Sequence, residues 1–189
     1  MSHLFEIIVI LVLIAINGYF ALSEFAIISA KRARLQQRAE EGDTRAEEAI
    51  LLAEEPTPFL STIQIGITLV GIFAGAYGGA TLAAALTPFI AEIPLLAPYS
   101  ELISITIIVL LITYLTLVFG ELVPKRIALS NPESIAARVA RPMSILSTLA
   151  TPAVVLLSRS TELFLRLIGI KDSEAPPVTE DEIKIMLEE

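Results

Sequence analysis

The chain has 189 residues, 54% of them hydrophobic, with a mean hydropathy of +0.74, a balance well above that of a soluble domain and indicative of a membrane protein. With no cysteine and a single histidine, His3, it has no disulfides, no thiolate metal site and no histidine-based zinc or catalytic centre. Any bound cation must be held by oxygen, which favours Mg²⁺, Ca²⁺, Na⁺ or Mn²⁺. The net charge of -8 arises from acidic clusters around Glu40 to Glu55 and Asp172 to Glu189, which read as solvated helix faces, whereas all 13 basic residues lie between Lys31 and Arg45 or between Lys125 and Lys184.

The first apolar run, Ile7 to Ala30, is too long for a signal peptide and has no basic segment ahead of it. It predicts a transmembrane helix over about 5–30. Lys31, Arg32, Arg34 and Arg38 follow it, so its C-terminal end is expected in the cytoplasm and the short N-terminus outside. Residues 33–55 are rich in helix formers, with Arg34 and Arg38 spaced to pair with Glu40, Glu41 and Glu48. They predict a cytoplasmic helical hairpin turning near Gly42 and Asp43 and stopped by Pro56 and Pro58.

The uncharged stretch from Phe59 to Leu86 predicts the second span, and the proline-containing segment Pro88 to Glu101 a short external loop. A third span is expected over 102–123, ending before Pro124 and Lys125. Glycines on the second span, Gly66 to Gly79, are expected to serve close helix packing. The segment Pro142 to Leu157 is apolar but only 16 residues long and contains Pro152. Its length and the flanking arginines argue for a bent juxtamembrane element, part of a helical region over about 132–170, rather than a fourth crossing. The fold expected is thus an all-α membrane protein with three transmembrane helices plus cytoplasmic juxtamembrane helices.

Residues 1–171 form the membrane domain on this reading. The segment Ser173 to Pro177 reads as a linker, and Thr179 with Glu182 as a capping box opening a further helix. A longer protein continuing into a cytoplasmic regulatory region is the expectation.

Polar residues in the three spans share a depth. Glu24 lies seven residues before Lys31, Glu121 lies four before Lys125, and Ser61, Gln64 and Thr68 lie three, six and ten after Pro58. At the helical rise they fall within a band roughly 5 to 15 Å deep on the cytoplasmic side. Ser61, Gln64 and Thr68 share one helix face, as do Thr113, Thr116 and Gly120 on the third span and Asn17 and Glu24 on the first. No lysine or arginine lies within the three spans, so Glu24 and Glu121 call for a proton or a cation. Pro124 lacks the N–H that would bond the Gly120 carbonyl, which is expected to be free to ligate. The plainer readings stand beside this one: Glu121 as the marker of the membrane boundary, Glu24 as a protonated carboxyl bonding a neighbouring helix, and the lone hydroxyls as groups bonded back to their own helices.

The strings Asn17-Gly-Tyr-Phe-Ala-Leu-Ser-Glu24, Ser61-Thr-Ile-Gln-Ile-Gly-Ile-Thr68 and Phe119-Gly-Glu-Leu-Val-Pro-Lys125 resemble the membrane domain of the CorB/CorC/cyclin M magnesium transporters, bacterial CorC most closely. Val178-Thr179-Glu180-Asp181-Glu182-Ile183 is similar to their lead into a pair of CBS modules. The match is looser on the second span, where several members carry asparagine in place of Ile67, Thr68 or Gly71. The resemblance implies a homodimer in the inner (cytoplasmic) membrane that exports Mg²⁺ in exchange for Na⁺, with ATP bound only by the CBS region. It also implies that Ser23, Gly120 and Glu121 contact the ion.

With the polar layer added, the candidate ligands are Ser23, Glu24, Gln64, Thr68, Gly120 and Glu121. No enzyme is expected, since no nucleophile has an activating base, and no nucleic-acid partner. The competing class is a membrane-anchored cation sensor or interaction domain.

Overall fold

The computed structural model describes residues 2–54 and 56–169, and among these every regular element is helical. In chain order they are α1 (Ser2–Ser29), α2 (Arg32–Glu40), α3 (Thr44–Glu54), α4 (Pro56–Ala91), a 3₁₀ turn (Ala97–Tyr99), α5 (Ser100–Leu117), a π turn (Val118–Leu122), α6 (Val123–Ser130) and α7 (Pro132–Ile168). The linker expected at Ser173 and the capped helix at Thr179 lie outside the described residues.

The hairpin of α2 and α3 turns where the sequence places it. Gly42 adopts φ +94°, a left-handed conformation that glycine takes without a Cβ penalty. Asp43 caps α3 by accepting the Arg45 N–H at 3.2 Å, and its other oxygen accepts from Arg38 at 2.6 Å. That hydrogen bond from Arg38 holds the Asp43 carboxyl below its ordinary value. The charge pairing differs from the expected pattern along one helix. Arg38 pairs with Asp43, Arg34 approaches Glu133 at 3.8 Å and Arg32 pairs with Glu54, because the turn and α7 bring carboxylates closer than the next helical turn does.

Prolines begin helices here rather than end them. Pro56 and Pro58 occupy the first turn of α4, where N–H groups have no intrahelical partner anyway. That helix continues through Pro88 to Ala91, beyond the end expected at Leu86. Pro124 likewise opens α6, so the third span does not stop at Val123; the helical path runs from Ala97 to Ser130. Pro142 and Pro152 both lie inside α7, a continuous helix of 37 residues, where each removes one backbone bond without ending the run. Among the described residues, four helices are therefore long and apolar enough to cross a membrane: His3–Ser29, Pro56–Ala91, Ala97–Ser130 and Pro132–Ile168. The first three overlap the expected spans. The fourth contains the segment read as a bent juxtamembrane element, so the count of three is not fixed by length and composition.

The packing that positions the site lies within the unit Met1–Thr151, and from Pro152 the chain forms a second unit whose described part is the remainder of α7. In the first unit α4 packs against both α1 and α5, and α1 packs against the π turn and α6. One apolar cluster joins Phe20, Ile27, Leu35, Phe59, Ile63, Val139 and Met143; a second joins Ile10, Ile14, Ala74, Ile108 and Ile112. The expected packing role of the glycines holds for two of them. A Cβ on Gly66 would meet the Phe20 ring at 2.7 Å and one on Gly78 would meet Ile112 Cδ1 at 2.1 Å, whereas Gly71 and Gly75 face open space.

Candidate functional site

The site is built where α1 crosses the π turn. The wide turn is closed by the Val123 N–H bonding back to the Val118 carbonyl, five residues earlier. It lets the helix meet α1 at very short range, and two glycines make the approach possible. A Cβ on Gly18 would lie 2.9 Å from the Phe119 carbonyl oxygen and 3.1 Å from Pro124 Cγ, and one on Gly120 would lie 3.1 Å from Asn17 Nδ2. At this crossing Asn17, only 4% exposed, donates from Nδ2 to the Gly120 carbonyl at 3.1 Å. A carbonyl only accepts, so the amide's own oxygen points away from Gly120. That atom, Oδ1, is buried and has no hydrogen-bond partner among the described residues.

Beside this contact lies a cavity of about 380 Å³ lined by Asn17, Ala21, Glu24, Phe25, Gln64, Ile67, Glu121 and Lys125. Asn17, Ala21, Glu24 and Phe25 share the face of α1 that their spacing dictates, and Gln64 with Ile67 does the same on α4. The cavity thus gathers two carboxylates and two carboxamides from the three helical segments that the sequence aligned in depth. Among the described residues no three Asp, Glu, His or Cys side chains cluster. A cation here would meet two carboxylates plus neutral oxygens, a set that leaves Mg²⁺ with several of its waters.

The expected ligands divide. Glu24, Gln64 and Glu121 line the cavity. Gly120 is buried next to it, in contact with Asn17. Ser23 is fully buried and donates its hydroxyl to the Tyr19 carbonyl at 2.7 Å, outside the lining. Thr68 is exposed and also outside it.

Two expectations about charge and valence are corrected. The Gly120 carbonyl, freed by Pro124, is not left bare, because the Asn17 amide bonds it. Glu121 is not without a counter-ion: Lys125 Nζ lies 2.5 Å from its Oε1. Both groups are partly accessible, with side-chain exposures of 41% for Glu121 and 27% for Lys125. The same ammonium stands 4.6 Å from the centre of the Phe25 ring, a cation–π distance.

The chain matches the family model for the cyclin M transmembrane N-terminal domain over residues 8–189. It belongs to the cyclin M transmembrane family. The UPF0053 protein sll0260 of Synechocystis sp. is 53% identical over 184 residues, covering 97% of this chain and 41% of its own length. The polyamine export protein of Haemophilus influenzae is 30% identical over 189 residues, covering 96% of this chain and 42% of its own, and that of Escherichia coli 29% over 183 residues, covering 97% and 41%. This cyclin M domain therefore spans about two-fifths of the length of those relatives.

Sequence reasoning on this cyclin M domain missed the roles of Asn17, Lys125 and Glu133. An asparagine seven residues from Glu24 on one apolar helix was visible, but its partner on another helix was not. The i, i+4 spacing of Glu121 and Lys125 was a usable signal for the ion pair. Glu133, 7% exposed, accepts the Lys31 N–H at 3.4 Å and faces Arg34, tying the start of α7 to the start of α2. Its signal was only an acidic residue in a first helical turn after Pro132.

Proposed function

We propose that this domain carries Mg²⁺ out of the cell in exchange for Na⁺, taking the ion up in the cavity between α1, α4 and the Glu121 turn. The observation that carries the reading is the cavity's lining, which brings together Glu24, Glu121, Gln64 and Asn17, with the Asn17 Oδ1 buried and without a hydrogen-bond partner among the described residues. Hard oxygen donors of low total charge suit a partly hydrated Mg²⁺, with Glu121 supplying charge and the amide oxygens replacing water. Family membership supports the same reading. Sodium coupling, a homodimeric assembly and regulation by ATP on a CBS region belong to the proposal through that family alone. The experiment is Mg²⁺ flux in proteoliposomes with Glu121→Ala. Loss of flux is expected; flux equal to wild type in a folded protein would favour a cation-sensing domain instead.

The topology proposed with it is three crossings of the inner membrane, N-terminus outside, with α7 along the cytoplasmic interface. The uncharged part of α7, Pro142 to Ser158, has 17 residues, or about 25 Å of helix against about 30 Å of hydrocarbon. It has arginines on both sides, Arg141 and Arg159, an arrangement the positive-inside rule opposes for a crossing segment.

A second reading takes an organic polycation as cargo. Two relatives are named polyamine export proteins. An alkylammonium already lies in this site, with Lys125 Nζ held between the Glu121 carboxylate and the Phe25 ring. Spermidine and Mg²⁺ efflux measured in the same proteoliposomes separate the two cargoes.

A further inference from the structure

The ion pair at the cavity raises a question that neither cargo answers: what happens to Lys125 when a cation enters. Its ammonium lines the cavity, 2.5 Å from Glu121 Oε1 and 4.6 Å from the Phe25 ring centre. It sits on the carboxylate that the incoming ion needs. The pair is an i, i+4 contact between partly exposed groups, one of the weaker kinds of ion pair, and it yields to a competitor of higher charge. Phe25, on the neighbouring helix, offers the displaced ammonium a face to rest against, so the lysine need not return to bulk water.

We propose that Lys125 is the specificity-determining residue of this site: a tethered monovalent cation that holds Glu121 until a multivalent cation displaces it. The proposal rests on the reading that the cavity takes up a cation, and it applies to a divalent metal and to a polyamine alike. The charge argument is direct. A sodium or potassium ion brings no more charge to Glu121 than the ammonium already there, and it has no tether, so it gains nothing by exchange. An ion carrying two or more charges is attracted at least twice as strongly at the same distance. Lys125 thereby keeps monovalent ions off Glu121, so the Na⁺ of the proposed exchange would bind outside this cavity. The lysine also recaptures the carboxylate as the cargo leaves, which prevents the site from becoming a trap.

This role predicts a change that a structural lesion does not produce. Removing the ammonium makes the site bind better and transport worse. In full-length protein reconstituted in lipid nanodiscs, Lys125→Met should bind its cation about tenfold more tightly than wild type, and added Na⁺ should now compete. In proteoliposomes the same variant should show a lower half-saturating concentration together with a lower maximal flux. Lys125→Arg, which keeps the charge, should stay close to wild type, and Lys125→Gln replaces the methionine variant if that one does not fold. Binding is measured in two arms, with Mg²⁺ and with spermidine, and the arm that tightens identifies the cargo. Unchanged or weaker binding in Lys125→Met, with wild type binding normally, overturns the role of Lys125 and leaves the transport reading intact. If neither protein binds either cation, the transport reading fails and this inference fails with it.

Discussion

Asn17 Nδ2 donates to the Gly120 carbonyl at 3.1 Å, across the crossing of α1 and the π turn. The bond turns a carbonyl stranded by Pro124 into the point that fixes one wall of the cavity, and it aims the unpartnered Oδ1 away from the contact. The Asn17 amide therefore has two roles that can be separated by substitution.

Asn17→Leu removes both roles and leaves the Gly120 carbonyl without its amide donor, at a cost of about 1–3 kcal/mol. A lower thermal midpoint in detergent and loss of cation flux are the expected results. Asn17→Asp loses the donor but keeps an oxygen, so it should retain more cation binding than the leucine variant despite comparable destabilisation. Equal binding in the two variants would remove Oδ1 from the ligand set.

Gly18 tests the close approach itself. In Gly18→Ala the new methyl would meet the Phe119 carbonyl oxygen at 2.9 Å and Pro124 Cγ at 3.1 Å. One of these is backbone, so the turn must shift, and overpacking of this kind costs about 1–3 kcal/mol. Reduced thermal stability is expected, along with reduced flux. Gly71→Ala, placed where nothing lies within 4 Å, is the control and should match wild type in both assays.

Of the two polar residues expected from the second span, α4 brings one to the cavity. Gln64 lines the cavity and Thr68 does not, although both belong to the polar face read from spacing. Gln64→Leu should weaken cation binding several-fold, while Thr68→Val should leave it unchanged. Isothermal titration of the two variants in parallel checks the ranking, and the reverse order would move the site along α4.

Only strong acid should loosen the hairpin between α2 and α3. The Asp43 carboxyl is held below its ordinary value by the hydrogen bond from Arg38. A carboxylate with a lowered folded pKa contributes stability in full above its unfolded value, and that contribution is lost as pH falls through the folded value. The loss therefore occurs below the usual carboxylate range. Asp43→Asn keeps a capping oxygen for the Arg45 N–H but removes the charge, so its melting temperature should fall less steeply as pH drops below about 4.

The helices were legible because long apolar runs and basic clusters mark spans and their flanks, and the layer of Glu24, Gln64 and Glu121 followed from counting depth. Those three residues line one cavity. What was not legible depended on partners distant in sequence. Nothing near Asn17 announces that its amide meets Gly120, 103 residues away. Lys125 was assigned to the aqueous flank because Pro124 read as the end of the helix, yet proline at a first turn is compatible with continued helix, and a four-carbon stem reaches back to Glu121. Ser23 and Thr68 were placed by motif and by face, and neither is in the cavity lining: Ser23 turns to the Tyr19 carbonyl, and Thr68 lies one residue past the lining residue Ile67.

The π turn at Val118–Leu122 also sets a phase. An α-helix advances about 100° per residue, so one extra residue in a turn rotates everything beyond it by about that angle. Pro124 meets Gly18, and Lys125 meets Phe25, at the phase that this turn creates. Deleting a single residue between Val118 and Gly120 would leave hydropathy, charge and helix content almost untouched, yet would swing both side chains off the face of α1. The number of residues between Leu117 and Val123 is therefore as much a determinant of the cavity as the carboxylates that line it.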